Sequence, residues 1–203
     1  MKIICIGRNY ANHAKEMNAE LPKSPVFFMK PDTAILPKRN PFYIPDFTND
    51  LHYECELVVK IQKLGKNIAE RYAHEYYSEI GLGIDFTARD LQLECKQKGL
   101  PWEIAKSFEH SAPLGEKWIN KKDLTLENLN FQLTKNKAVV QKGNTKDMLF
   151  SIDQIIAYIS KFMTLKIGDL IFTGTPAGVG PVSIGDRLEG FIEEQKILDL
   201  RIK

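Results

Sequence analysis

The chain has 203 residues, 43% of them hydrophobic, with 28 Lys and Arg against 26 Asp and Glu for a formal charge of +2. This length suits one large domain that buries its own core, and the balanced charge gives no reason to expect nucleic acid or an anionic membrane as partner. Cys5, Cys55 and Cys95 stand far apart with no C-x-x-C pair, which argues against a disulfide framework or zinc knuckle and for a reducing, cytoplasmic setting.

KIICIG reads as a first strand closed by Gly7, and it meets Arg8 too early to be a secretory leader. RNYANHAKEM follows as a short helix whose strong apolar residues are Tyr10 and Met17, so weak anchoring is expected. PVFFMKP is a second strand, and Pro31, Pro37, Pro41 and Pro45 make the next stretch loop or sheet edge. LHYECELVVKI is a strong strand signal, apolar and β-branched. NIAERYAHEYYSEI looks helical in its first part, on Ile68, Tyr72 and Tyr76.

GLGIDF is a short strand, and TARDLQLECKQKG a helix with Thr87 as cap, Asp90 completing a capping-box variant, and Gly99 and Pro101 as the stop. LENLNFQLTKNKAVVQKG is a hairpin turning at KNK. Ser151 and Gln154 form a second capping box, opening a helix on the stripe Ile152, Ile155, Ile156 and Ile159. KIGDLIFTG and SIGDRLEGF use one device twice, a Gly-Asp turn that feeds a strand. No linker or long repeat divides residues 1–203, and no run approaches the ~18 apolar residues of a membrane helix. A single strand-rich α+β domain with a few outer helices is expected.

Glu54 and Glu56 interrupt the 51–61 strand two residues apart. Side chains alternate along a strand, so both share a face with His52 and Val58, about 7 Å apart at the backbone, while Tyr53, Cys55, Leu57 and Val59 face the core. A lone E-x-E is more often a solvated strand face. Asp85 supplies a third carboxylate, with Gly81 and Gly83 on its own face, and strand glycines often mark close approach by a ligand or another backbone. Three carboxylates without a His or Cys partner suit a hard dication, Mg²⁺ or Mn²⁺, rather than Zn²⁺.

GRNYANHAKEM, FFMKPDTA, LHYECELVV, GIDFTARDLQ, KGLPWEIAKSFEHSAPLG, MLFSIDQIIAYIS and GDLIFTGTPAGVGP, in this order, resemble the successive motifs of the fumarylacetoacetate hydrolase family, in particular its short-chain acylpyruvase and oxaloacetate decarboxylase branch. The resemblance covers nearly the whole chain. It implies a mixed β-sandwich roll with Mg²⁺ on Glu54, Glu56 and Asp85, and commonly a homodimer. It also places Lys106 in the metal site, where an ammonium offsets the carboxylates and an anionic substrate. His13 and Glu16, read from spacing alone as an exposed i,i+3 pair, become a catalytic His-x-x-Glu pair on a lid within residues 1–20.

Arg8, Lys30, Arg89 and Gln92 are further substrate-binding candidates. Arg89 suits an anion at a helix N-terminus and equally suits a structural pair with Asp90. TGTPAGVGP offers the Thr175 hydroxyl and backbone N–H groups but lacks the G-K-[ST] ending of a phosphate loop. His52, His74 and His110 read as structural or surface residues, and Trp102 and Trp118 as packing. The activity implied is cleavage of the C3–C4 bond of a short anionic 2-oxo acid, by hydrolysis of an acylpyruvate or decarboxylation of oxaloacetate. The alternatives are isomerisation or decarboxylation of hydroxymuconate-type dicarboxylates, and a non-catalytic metal-binding homologue.

Overall fold

In the computed structural model, residues 1–17 and 20–203 are described. Positions 18 and 19 of the expected 1–20 lid lie outside the described residues. The strands in chain order are β1 Ile3–Gly7, β2 Val26–Lys30, β3 Leu51–Tyr53, β4 Cys55–Ile61, β5 Tyr77–Ile84, β6 Thr87–Ala88, β7 Ile119–Asn120, β8 Asn130–Lys135, β9 Ala138–Asn144, β10 Leu170–Phe172, β11 Gly180–Pro181, β12 Arg187–Ile192 and β13 Gln195–Arg201. The helices are α1 Ala11–Glu16, α2 Glu70–Ala73, α3 Arg89–Lys98, α4 Glu103–Lys106 and α5 Ile152–Ile159.

A six-stranded sheet runs β2-β1-β10-β4-β5-β7, a four-stranded sheet β13-β12-β8-β9, and a small sheet β11-β3-β6. Strand β1 pairs with β10 in parallel, while its other neighbour, β2, runs antiparallel to it. Strand alternation sorts the core. Leu57 and Val59 of β4 join Leu82 and Ile84 of β5 in one buried cluster with Leu133, Leu188 and Leu198 of the four-stranded sheet. Val58 points the other way, into a second cluster with Cys5 and Phe172. Each such buried aliphatic side chain contributes about 1.5–3 kcal/mol. This is the strand-rich, mixed-sheet α+β architecture expected.

Several local readings hold. Ser151 and Gln154 close the capping box of α5, with Ile155, Ile156 and Ile159 buried beneath it. The β8–β9 hairpin turns on Asn136 and Lys137, both left-handed at φ 53° and 72°, as a tight hairpin turn demands. Gly168 and Gly185 take φ of +88° and +96° in the two Gly-Asp turns.

Other readings are corrected. The 51–61 run is two strands, because β3 pairs with β6 and β11 while β4 belongs to the large sheet. The 67–80 segment keeps the expected helical first part, as α2 and a following 3-10 turn, and from Tyr77 it becomes strand, where pairing with β4 outweighs local helix preference. Thr87 does not cap α3: Ala88 holds the N-cap position without a side-chain bond, and Asp90 instead accepts from Thr48 Oγ1 at 2.6 Å and Asn49 N at 2.9 Å. The weak apolar anchoring of residues 8–17 is made good by a polar side chain. Asn9 is fully buried, donates to Thr173 O at 2.8 Å and Phe150 O at 3.0 Å, and accepts from Phe150 N at 2.8 Å.

Gly81 and Gly83 make room for aromatic rings, not for a ligand. A Cβ on Gly83 would lie 2.5 Å from Phe172 Cε1, and one on Gly81 would lie 2.9 Å from Trp118 Cε3.

Candidate active site

The break between β3 and β4 falls at Glu54, and Asp85 follows the last residue of β5. Because Cys55 pairs with Ile84 and Glu56 with Gly83, the three carboxylates arrive at one end of the large sheet. The Asp85 N–H also donates to Glu54 O at 2.8 Å, which fixes the two segments together. Glu54, Glu56 and Asp85 are only 5%, 1% and 1% exposed. One oxygen of each lies within 4.8 Å of the others. The solvated-face reading of E-x-E does not apply here.

Burying three acids requires compensation, and three cations provide it. Lys106, at the end of α4, donates to Glu54 Oε2 at 2.9 Å, Asp85 Oδ2 at 2.8 Å and Thr87 Oγ1 at 2.5 Å. Arg89, opening α3, donates to Glu54 Oε1 and to Gln92 Oε1, both at 2.6 Å. It therefore braces a carboxylate of the trio rather than Asp90. Lys30, closing β2, donates to the carbonyls of Phe86, Lys106 and Ser111, and its Nζ stands 2.7 Å from Asp85 Oδ1. It sits behind Asp85 and does not line the pocket.

The compensation is uneven. Burial pushes the Glu54 carboxyl up, but Lys106 and Arg89 outweigh it and hold Glu54 well below the usual carboxylate range. For Lys106, burial works against the charge, yet Asp85 and Glu54 keep its pKa above that of an ordinary lysine. Glu56 has no ion-pair partner among the described residues: burial, then Asp85 and Glu54, push its carboxyl well up, and the hydrogen bond from Gly174 N–H at 2.7 Å and the charge of Lys106 do not offset them. Asp85 Oδ1 is buried and receives no aligned hydrogen bond despite its ion pair with Lys30. An under-compensated Glu56 and an all-oxygen donor set are what a hard dication fits. These three side chains could hold one.

His13 and Glu16 face the same region from α1. His13 is 7% exposed, and its Nδ1 lies 3.1 Å from Glu16 Oε2. Glu16 also accepts from Gly178 N–H at 3.1 Å, tying α1 to the glycine-rich turn. Gly178 has φ +99° and no room for a Cβ against the Val140 carbonyl. Thr175 Oγ1 donates to Cys55 O at 2.9 Å and accepts from Gln141 Nε2 at 2.9 Å, pinning the turn to β4.

A small cavity of about 40 Å³ joins these groups and is also lined by Arg8, Gln92, Lys96 and Trp102. The structure thus gathers His13, Lys106, Arg8, Arg89, Gln92 and Thr175 around the trio and leaves Lys30 as support. Thr87, Gly174 and Lys96 escaped the sequence reading. The signal for Lys96 was helical spacing, since positions 89, 92 and 96 share one face of α3. Trp102, read as packing, also forms part of the pocket wall.

The chain matches the fumarylacetoacetate (FAA) hydrolase C-terminal family over residues 2–202. It is 44% identical over 201 residues to the oxaloacetate tautomerase FAHD1, mitochondrial, of Bos taurus, covering 99% of this chain and 90% of the relative. Its fold superposes with a TM-score of 0.93 on a fumarylpyruvate hydrolase from Pseudomonas aeruginosa in complex with Mn²⁺ and pyruvate, at 36% identity, covering 100% of this chain and 89% of that one. A 5-carboxymethyl-2-hydroxymuconate delta-isomerase from Mycobacterium smegmatis gives a TM-score of 0.86 at 35% identity, covering 99% and 78%. Among the described residues no helix is long and apolar enough to cross a membrane. By sequence, by fold and by the buried acidic trio at the sheet end, the chain belongs to the fumarylacetoacetate hydrolase family.

Proposed function

We propose that this protein is an enzyme of short 2-oxo acids that makes or breaks bonds at C3 through an enolate, with a divalent cation, Mg²⁺ or Mn²⁺, held by Glu54, Glu56 and Asp85. The observation that carries this is the buried trio with one carboxyl under-compensated. The dication, when bound, would supply Lewis acidity that draws electron density from the 2-oxo group.

The chain's own side chains account for the rest. Lys106 places a permanent positive charge beside the carboxylates and favours negative charge on a nearby substrate oxygen. His13, oriented through Nδ1 by Glu16, leaves Nε2 to move a proton. In enol–keto interconversion that proton is the one on C3. In acylpyruvate hydrolysis it comes from the water that attacks the distal carbonyl, and pyruvate departs as its enolate. Decarboxylation of oxaloacetate yields the same enolate with no attacking water. The tautomerase name of the bovine relative puts the first of these reactions beside the two expected from the sequence resemblance.

The cavity supports a short substrate. At about 40 Å³ it is small and favours a short ligand over a long one. The isomerase neighbour keeps a hydroxymuconate-type substrate as the second reading. We further propose a homodimer in the cytoplasm, the latter supported by three free, buried cysteines.

Incubation with Mg²⁺ or Mn²⁺ and either oxaloacetate or acetylpyruvate, following enol absorbance and pyruvate release, tests the reading. Acceleration of any of these reactions, abolished by EDTA, supports it. No change with either substrate, together with turnover of a hydroxymuconate, transfers the assignment to the second reading.

A further inference from the structure

Three cations are already engaged with two members of the carboxylate trio. Lys30 stands against Asp85, Arg89 against Glu54, and Lys106 against both. Two more cations border the same cavity. Arg8 lies at the end of β1 and Lys96 on the exposed side of α3, one turn beyond Gln92. Among the described residues neither has an ion-pair partner. Lys96 Nζ instead stands 5.5 Å from the centre of the Trp102 ring, also in the cavity wall. Arg8 holds a left-handed backbone at φ 60°, which a non-glycine residue adopts only where its surroundings impose it. The next residue, Asn9, is held by its buried side chain on Phe150 and Thr173. Burial, then the charges of Arg89 and Arg8, depress the pKa of Lys96 against the opposing charge of Glu54.

The surplus has a chemical meaning. A monocarboxylic 2-oxo acid presents one negative charge, and its carboxylate end belongs with the inner cations and the metal trio. Nothing in an uncharged tail would use Arg8 and Lys96. We propose that Lys96, with Arg8, receives the distal carboxylate of a 2-oxo dicarboxylic acid, making Lys96 a specificity-determining residue that favours diacids over acylpyruvates with neutral tails. This rests on the 2-oxo acid reading above and deepens it.

The test uses the Mn²⁺-loaded protein and three probes followed by calorimetry, with CO₂ release monitored so that only intact ligand is scored. Oxalate reports the inner site. Difluoro-oxaloacetate, which cannot enolise, carries the distal carboxylate. 2-Oxobutyrate has the same chain length and lacks it. Wild type should bind difluoro-oxaloacetate more tightly than 2-oxobutyrate. Lys96→Gln should weaken difluoro-oxaloacetate by about ten-fold, as loss of a charge-assisted hydrogen bond does, while oxalate and 2-oxobutyrate stay within about two-fold. Lys96→Arg should restore most of the loss. If oxalate binds but difluoro-oxaloacetate shows no advantage over 2-oxobutyrate, or if Lys96→Gln weakens both equally or neither, this inference falls and the functional reading stands. If oxalate fails to bind wild type, both fall.

Discussion

Lys30 Nζ stands 2.7 Å from Asp85 Oδ1, and neither side chain has measurable contact with water: their exposures are 0% and 1%. A buried pair of this kind is costly to break from one side, because the partner keeps its charge without its counterion. Lys30→Met should destabilise the protein by about 3–5 kcal/mol in urea denaturation. The double variant Lys30→Met, Asp85→Asn should recover much of that loss and bind no metal.

Glu56 gives the opposite sign. Its carboxyl is buried among like charges with one N–H for support, so Glu56→Gln should leave the metal-free protein at least as stable as wild type in EDTA. The same change should abolish the rise in melting temperature that Mn²⁺ gives wild type, a gain of about 2.7 kcal/mol at a hundred-fold excess over Kd. Thermal scans with and without Mn²⁺ separate the two effects.

His13→Gln should lower kcat by about 10²–10⁴ for any reaction that moves a proton at C3 or on water. It should spare the loss of CO₂ from oxaloacetate, a step in which no proton moves and after which the enolate takes its proton from solvent. Glu16→Gln keeps a side chain for the Gly178 N–H and a hydrogen-bonding partner for His13, and should cost less in kcat. Parallel assays on acetylpyruvate and oxaloacetate decide the matter.

Gly83→Ala should cost about 1–3 kcal/mol by forcing the Phe172 ring aside. If the glycine instead serves ligand approach, stability would hold and oxalate affinity would drop; a chemical melt paired with oxalate titration distinguishes these outcomes.

Asp169 accepts from Lys2 N at 2.9 Å and Lys166 N at 2.8 Å, with Lys2 Nζ at 2.5 Å. Burial raises its carboxyl pKa, but these partners overcome burial and leave it below the ordinary value. A depressed folded-state pKa contributes stability above the unfolded value of ~3.9, lost as pH falls through the lower folded one. Asp169→Asn should therefore cost about 1–3 kcal/mol at neutral pH, and the gap to wild type should close below about pH 4. Denaturation midpoints across that range provide the check.

The chemistry of this chain was more legible than its geometry. Glu54, Glu56 and Asp85 could be grouped from residue type and alternation alone, since a strand period of two is rigid. The change of sheet at Glu54 was not, because the pairing of β3 with β6 and β11 is made by residues far along the chain. Thr87 has the side chain of a helix cap, and only the arrival of Lys106 reveals where its hydroxyl goes. Glycines 81 and 83 signal that something approaches closely without saying whether it is a ligand or a tryptophan and a phenylalanine. Asn9 carries no periodic signal at all, yet it holds the whole entrance segment.

The parallel register of β1 with β10 sets Ile3 beside Leu170 and Cys5 beside Phe172. Strand β1 therefore closes against a partner far along the chain, and so distant a contact forms slowly. Before that docking, β2 is its one neighbour in the large sheet among the described residues. A folding chain in which β10 has yet to dock would already have its three carboxylates and still lack the turn whose Gly174 N–H holds Glu56, so order at this end of the sheet should arrive together with that docking.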